Sequence, residues 1–282
     1  MNFTEKPVLR LAILDLYNGA ENQGMRGLHD IIEHFNQTSE VHLDIDIFDV
    51  RQKLELPGLD YDIYISSGGP GSPIDSEGEE WDTKYINWIE AVDNHNIASE
   101  VAFKKPVFFI CHSYQLACRH FKIGLLSKRR SNSFGVFPIH MLEDGEREPV
   151  FDGLPNPFYA VDSRDYQVIE PDYSRIKQLG SKILAIEKER PHVPLQRAIM
   201  AIRFTDAFIG TQFHPEADPV GMLKHLHTPE RKKSVIENHG YAKWKSMIEQ
   251  LPDPEKIRLT YATVLPNFLR IAVKKITKVP VA

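Results

Sequence analysis

Cys111 stands between residues 107–110, an apolar and β-prone run entered through Pro106, and residues 115–121, whose side chains suit a helix. It therefore falls on a strand-to-helix turn. Such a turn can hold a nucleophile out of a sheet, with helix N-terminal amides beside it to lower the thiol pKa and receive an oxyanion. Taken alone, Cys111 reads equally well as a buried core cysteine. Two other segments bear on the choice. Ser66-Ser67-Gly68-Gly69-Pro70-Gly71-Ser72-Pro73 follows the apolar run 61–65, and its glycines leave backbone N–H groups uncovered that could serve as oxyanion donors. Ile209-Gly210-Thr211-Gln212-Phe213-His214-Pro215-Glu216 ends another apolar run on a histidine and, two residues on, a carboxylate. Positions two apart on an extended segment point the same way, so Glu216 can reach the far ring nitrogen of His214 and fix its tautomer. A sulfur, a base and an orienting acid are the parts of covalent acyl transfer.

Those parts need elements that bring them together. Residues 8–16 read as a strand buried on both faces, and 25–35 as a helix with Leu28, Ile31, Ile32 and Phe35 on one side. Residues 41–50 alternate as a half-exposed strand. Residues 81–97 form a helix whose Trp81, Tyr85, Trp88, Ile89 and Val92 stripe is core. This alternation implies an α/β fold, with a central mostly parallel sheet and helices on both faces. Right-handed crossovers then set loop 66–73 and Cys111 along one edge of the sheet. After Phe134 the texture becomes β-rich, with runs at 134–141, 158–161, 182–186, 198–204 and 207–213 and a tight turn at Thr205-Asp206, returning His214 to the cysteine. Residues 1–216 read as the main domain. Residues 217–282 read as a helical extension, with helices over 232–251 and 254–276, the second interrupted by Pro266. Thr228 is the expected N-cap and Pro229 the N1 residue of the first. The pair would pack on the main domain or on a second copy of the chain as a homo-oligomer.

The chain of 282 residues, 42% hydrophobic and 26% charged, can bury one large core with an appendage. Its net charge of −5 argues against a general nucleic-acid surface. Lys128-Arg129-Arg130 is a local basic cluster, read as a solvated loop or as a site for an anionic partner. Cys111 and Cys118, the only cysteines, would lie about 10 Å apart along a helical stretch, too far for a disulfide. That suits a cytoplasmic protein. No apolar run approaches a membrane span, no metal-ligating cluster stands out, and no Walker-type phosphate loop occurs, so neither a cofactor nor an ATP-dependent acceptor site is expected.

The segments SGGPGSP at 67–73 and GTQFHPE at 210–216, with Gln115 four residues after the cysteine, resemble the class I glutamine amidotransferases. This Cys-His-Glu family has a flavodoxin-like fold, hydrolyses the side-chain amide of glutamine and passes on ammonia. The resemblance implies Cys111, His214 and Glu216 as catalytic residues, and the backbone N–H groups of Gly69 and His112 as the oxyanion hole. It also implies Gln115 as a lining of the glutamine pocket, although Gln115 could equally cap its own helix. A separate synthetase or acceptor protein would receive the ammonia. The family's glycines two before and two after the cysteine are replaced by Phe109 and Ser113. Serine preserves most of the packing, Phe109 must find room, and the expectation is a surviving turn with a reshaped pocket. Ser133-Phe134-Gly135-Val136-Phe137 and Asp162-Ser163-Arg164 are also similar to segments of the homoserine O-acyltransferases, which share the fold and the Cys-His-Glu set. There Arg164 would hold the carboxylate of an α-amino acid, and it could do the same for glutamine; read alone, it is a surface charge or half of an ion pair. Three readings stand at this point: a glutaminase-type amidotransferase, an acyltransferase using acyl-CoA, and a non-catalytic binding protein.

Overall fold

The computed structural model describes residues 6–100, 103–191, 193, 195–251, 253 and 256–277. Its centre is a nine-stranded sheet in the order β2-β1-β3-β4-β9-β8-β7-β5-β6. Strands β1 (Val8–Asp15), β2 (His42–Asp49), β3 (Ile63–Ser66), β4 (Val107–Ile110) and β9 (Phe208–Thr211) pair in parallel. Helices α1 (Gly24–Thr38), α2 (Glu80–Ala98) and α3 (His112–Phe121) follow strands in the chain. From β9 the sheet continues antiparallel through β8 (Ile199–Arg203), β7 (Lys182–Glu187), β5 (Gly124–Met141) and β6 (Phe158–Pro171), with the short helices α4 (Glu143–Glu146) and α5 (Tyr173–Leu179) between them. Strand ends fix the site. Ser66 of β3 pairs with Phe109 of β4, and Ile110 of β4 with Thr211 of β9, so the segments leaving all three strands emerge side by side.

Both faces of the sheet are covered, which is why β3 and β4 are buried at every position. On one face Leu28, Ile31, Ile32 and Phe35 of α1 meet Leu11, Ile13, Phe108 and Ile110. On the other, Trp81, Tyr85, Trp88, Ile89 and Val92 of α2 pack with Tyr64, Phe109 and Tyr114. The described C-terminal residues contain four helices: α6 (Pro219–His227), α7 (Pro229–His239), α8 (Tyr241–Gln250) and α9 (Ile257–Thr277). Helix α9 lies on the same face as α1, with Val264, Leu265, Phe268, Leu269, Ala272 and Val273 in its core cluster and Phe268 edge-on to Phe108 at 5.2 Å. Helices α6 to α8 build a third cluster in which Met222, Leu226, Val235, Trp244 and Met247 meet Phe134, Val136 and Val161 of β5 and β6. Arg26 of α1 pairs with Asp218, which caps α6 by accepting from Val220 and Gly221 N–H at 2.8 and 3.0 Å.

Several sequence expectations need correction here. The helix expected over 232–251 is broken at Gly240, whose φ of +83° lies in the left-handed region that glycine tolerates. Helix α6 was not anticipated. Thr228 precedes Pro229 at N1 as expected, but its hydroxyl donates to His225 O at 2.9 Å and caps nothing in α7. Pro254, the expected start of the last helix, lies outside the described residues. Lys128-Arg129-Arg130 is strand rather than loop, and the Arg129 guanidinium reaches Gln167 at 2.9 Å and Glu187 at 3.2 Å. No helix among the described residues is long and apolar enough to cross a membrane.

Candidate active site

Cys111 is the residue between β4 and α3, and its backbone has φ 50°, ψ −97°, a conformation in which non-glycine residues are strained. The surroundings hold it there. Cys111 N–H donates to Thr211 O at 2.8 Å, its C=O accepts from Gln115 N–H at 3.0 Å, and the turn is closed from below by Ser113. The Ser113 hydroxyl, fully buried, accepts from Ile110 N–H at 2.8 Å and donates to Ser66 O at 2.8 Å, tying the elbow to the end of β3. Serine thus fits where the family pattern has glycine and adds a tether that glycine lacks. Phe109 turns away from the pocket: its ring is edge-on to Phe204 and Phe208 at 6.0 and 5.6 Å, and it does not line the cavity above Cys111. Gly210 on β9 makes the room, since a Cβ there would stand 3.1 Å from the Phe109 Cβ. Phe109 thus finds its room in the core and contributes nothing to the cavity lining.

His214 and Glu216 follow β9 on a segment that bends at 212–213, bridges to Val161 at His214 and turns at 215–216. His214 N–H donates to Val161 O at 2.9 Å, and the ring Nδ1 meets Glu216 Oε1 at 2.8 Å. The expected pair forms, but through a turn rather than an extended chain: residues 215–216 are a turn, closed by Ala217 N–H donating to His214 O at 3.3 Å. Glu216 is buried, and its second oxygen has no partner among the described residues. Burial would lower the His214 pKa, but the negative charges of Cys111 and Glu216 and hydrogen bonds to both raise it well above the ordinary histidine range. The imidazole thus sits in a field that favours its protonated form. Gly68 leaves space for it: a Cβ there would sit 3.0 Å from His214 Cε1 and 3.5 Å from the Cys111 Cβ. Gly69 lies against Leu16, where a Cβ would come within 2.3 Å of the carbonyl oxygen. Arg51 holds the loop in place through Pro70 O at 2.5 Å and stacks over Trp81 at 4.6 Å. His112, at the first turn of α3, has a buried ring 6.2 Å from Trp81. Burial, helped by Arg51 and Arg119, pushes its pKa down to about 3, so the side chain is neutral. Its Nε2 has no partner among the described residues.

Three neighbours of the sulfur escaped the sequence reading. Gln212 points its amide nitrogen at Cys111 Sγ, 3.6 Å away, and Ser163 O lies 3.6 Å from the same sulfur. Gln115 is buried, lines the cavity, and directs its amide nitrogen to Gln212 Oε1 at 2.9 Å and Tyr166 O at 3.2 Å. It thereby sets which end of the Gln212 amide faces the sulfur. Tyr17, at the end of β1, stands beside the triad; burial, with the charges of Glu216 and Cys111, keeps its hydroxyl protonated far above neutral pH. Helix α1 comes close because it carries glycines, a Cβ at Gly24 falling 2.2 Å from the Tyr17 hydroxyl and one at Gly27 falling 2.1 Å from Glu216 O. Gln212 sits inside the GTQFHPE motif, whereas Tyr17 carries no signal beyond its place two residues past β1.

Arg164 is buried beside the cavity, and its charge is committed. Nε donates to both Asp162 oxygens at 3.0 Å, and one terminal nitrogen lies 3.0 Å from Glu187 Oε1 in ion-pair contact but outside hydrogen-bonding geometry. Both terminal nitrogens are closed to solvent. Asp162 in turn accepts from the Ser133 hydroxyl at 2.7 Å. The cavity of about 380 Å³ over Cys111 is bounded by strand ends on one side and by Met222, His225 and Arg231 of α6 and α7 on the other. The size falls within the range of small-molecule sites.

A family model described as glutamine amidotransferase class-I matches residues 28–235, well over half of the chain. No curated protein sequence matches it. Among solved structures, a glutamine amidotransferase from Thermotoga maritima superposes with a TM-score of 0.68 at 16% identity, covering 94% of this chain and 98% of that one. One from Methylobacillus flagellatus gives 0.59 at 16% identity over 98% and 95%. A CTPS glutaminase domain from Trypanosoma brucei, with bound acivicin, gives 0.54 at 15% identity over 86% and 94%. At these identities the superpositions speak for the fold, and the family match for membership: the chain belongs to the class I glutamine amidotransferase family.

Proposed function

We propose that the protein hydrolyses the side-chain amide of glutamine through a γ-glutamyl thioester on Cys111. The observation that carries this reading is the juxtaposition, past two neighbouring strand ends, of the His214 Nδ1–Glu216 Oε1 contact at 2.8 Å after β9 with Cys111 at φ 50° after β4, whose charge acts on that imidazole. His214, held by Glu216, receives the thiol proton, and the thiolate attacks the amide carbon. The oxyanion falls to the N–H groups of Gly69 and His112, contacts of a kind worth about 3–4 kcal/mol each when lost. His214 then protonates the departing ammonia, and water cleaves the thioester to give glutamate. Gln115 acts on the sulfur through Gln212. Arg164 holds β6, and with it Ser163 O, against the elbow. No cofactor or metal enters these steps.

A separate synthetase or acceptor protein would take the ammonia, since the chain carries no phosphate-binding loop of its own. Both cysteines are free, in keeping with a cytoplasmic setting. The test is ammonia release from glutamine by the purified protein and by Cys111→Ala. Wild-type release with none from the variant supports the reading, and equal release from both removes it.

A further inference from the structure

Arg164 and Arg231 both line the cavity over Cys111, and they differ in what is left to them. Arg164 is neutralised by Asp162 and Glu187. Arg231, in the first turns of α7, forms no ion pair among the described residues. Its guanidinium carbon lies 4.6 Å over the Phe134 ring. Among the described residues no hydrogen bond occupies its N–H groups, which can match a carboxylate with two parallel hydrogen bonds. His225, whose ring is 5.8 Å from that of Phe134, adds no competing charge: burial and the neighbouring Arg231 and His214 bring its pKa down to about 4. The carboxylate whose field acts on Arg231 is Asp165, an exposed residue on the same cavity wall whose Oδ1 accepts from Asn132 at 3.1 Å. One cavity thus presents an unpaired cation and a carboxylate together with a nucleophile set for amide cleavage.

We propose that Arg231 and Asp165 recognise the zwitterionic head of an α-amino-acid substrate, Arg231 taking the α-carboxylate and Asp165 the α-ammonium. The C-terminal helices then supply specificity to a reaction performed at the strand ends. The assignment rests on the glutaminase reading and names how that site chooses its substrate. Hydrogen bonds to charged groups contribute about 1.5–3 kcal/mol, so Arg231→Met should raise KM for glutamine about ten- to a hundredfold while kcat stays within about threefold. Glutaminamide, which lacks the carboxylate, should be a poor substrate for both proteins and indifferent to the substitution. Asp165→Asn should raise KM for glutamine and leave that for glutaramic acid, the glutamine analogue without the amino group, unchanged. Arg231→Lys keeps the charge but not the fork, and should fall between. If Arg231→Met does not fold, the same pair of substrates with Arg231→Lys decides. An Arg231 variant with an unchanged KM for glutamine, or with equal losses on glutamine and glutaminamide, overturns the assignment while the glutaminase reading stands. A wild-type protein that releases no ammonia from glutamine removes both.

Discussion

Gly27 lies outside every segment that announced the active site, yet the structure makes it one of the residues on which the triad depends. A Cβ at Gly27 would sit 2.1 Å from the backbone oxygen of Glu216. Reaching even a tight 3.0 Å contact requires about 0.9 Å of movement, and the obstacle is backbone on both sides, so no side chain can swing clear. Two energies oppose each other in Gly27→Ala. Alanine in a helix interior is favoured over glycine by about 1 kcal/mol, while overpacking a tight contact costs about 1–3 kcal/mol. The net loss of stability should therefore stay at or below about 2 kcal/mol. Catalysis is less forgiving, because a displacement of about 1 Å in a positioned group costs roughly a hundredfold in rate. We expect Gly27→Ala to fold, with a slightly lowered urea midpoint, and to lose about a hundredfold in kcat for ammonia release as Glu216 and His214 shift together. A variant about 1 kcal/mol more stable than wild type, with full turnover, would show that α1 does not press on the Glu216 segment, and would refute this account of how the triad is held.

Two further outcomes follow from buried groups. His112 has a folded-state pKa of about 3 against 6.5 in the unfolded chain, so the unfolded state binds the extra proton and stability falls as pH drops from about 6.5 towards 3. At pH 5 this amounts to about 2 kcal/mol, so in urea unfolding at pH 7 and pH 5 His112→Gln should lose less stability than wild type by about that much; identical losses would contradict the burial argument. Gln212→Glu replaces the amide donor 3.6 Å from Cys111 Sγ with a negative charge of the same shape, and should slow iodoacetamide alkylation of Cys111 at pH 7 by about tenfold, whereas an unchanged rate would mean that the amide does not act on the sulfur.

The parallel half of the sheet and the elbow were legible because their residues obey simple periods: β3 and β4 are short apolar runs, and helix-compatible residues begin where Cys111 leaves β4. The pairing of His214 with Glu216 was legible from their spacing, but a turn at 215–216, not the alternation of an extended chain, brings them together. The first half of β5 was not legible. Its Lys128, Arg129 and Arg130 look like a solvated loop until Gln167 and Glu187 are seen to receive the guanidinium of Arg129, contacts between residues 38 and 58 positions apart. The same holds for Arg164, whose partner Glu187 lies on another strand. Gln212 and Gly27 matter only through neighbours that the topology supplies, and neither residue type nor spacing encodes that. The C-terminal helices showed their periodicity but not their place. That Met222, His225 and Arg231 close the cavity depends on α6 packing against Phe134 and Val161.

The central claim is a covalent one: glutamine passes through a thioester on the strained cysteine between β4 and α3. Intact-protein mass spectrometry of the enzyme mixed with glutamine and quenched in acid tests it directly, with peptide mapping to place the adduct. We expect a γ-glutamyl group on Cys111, absent from Cys111→Ala and accumulating less in His214→Ala. Ammonia released by wild type while Cys111 remains unmodified at every quench time, or a glutamyl group mapped to another residue, would contradict the account.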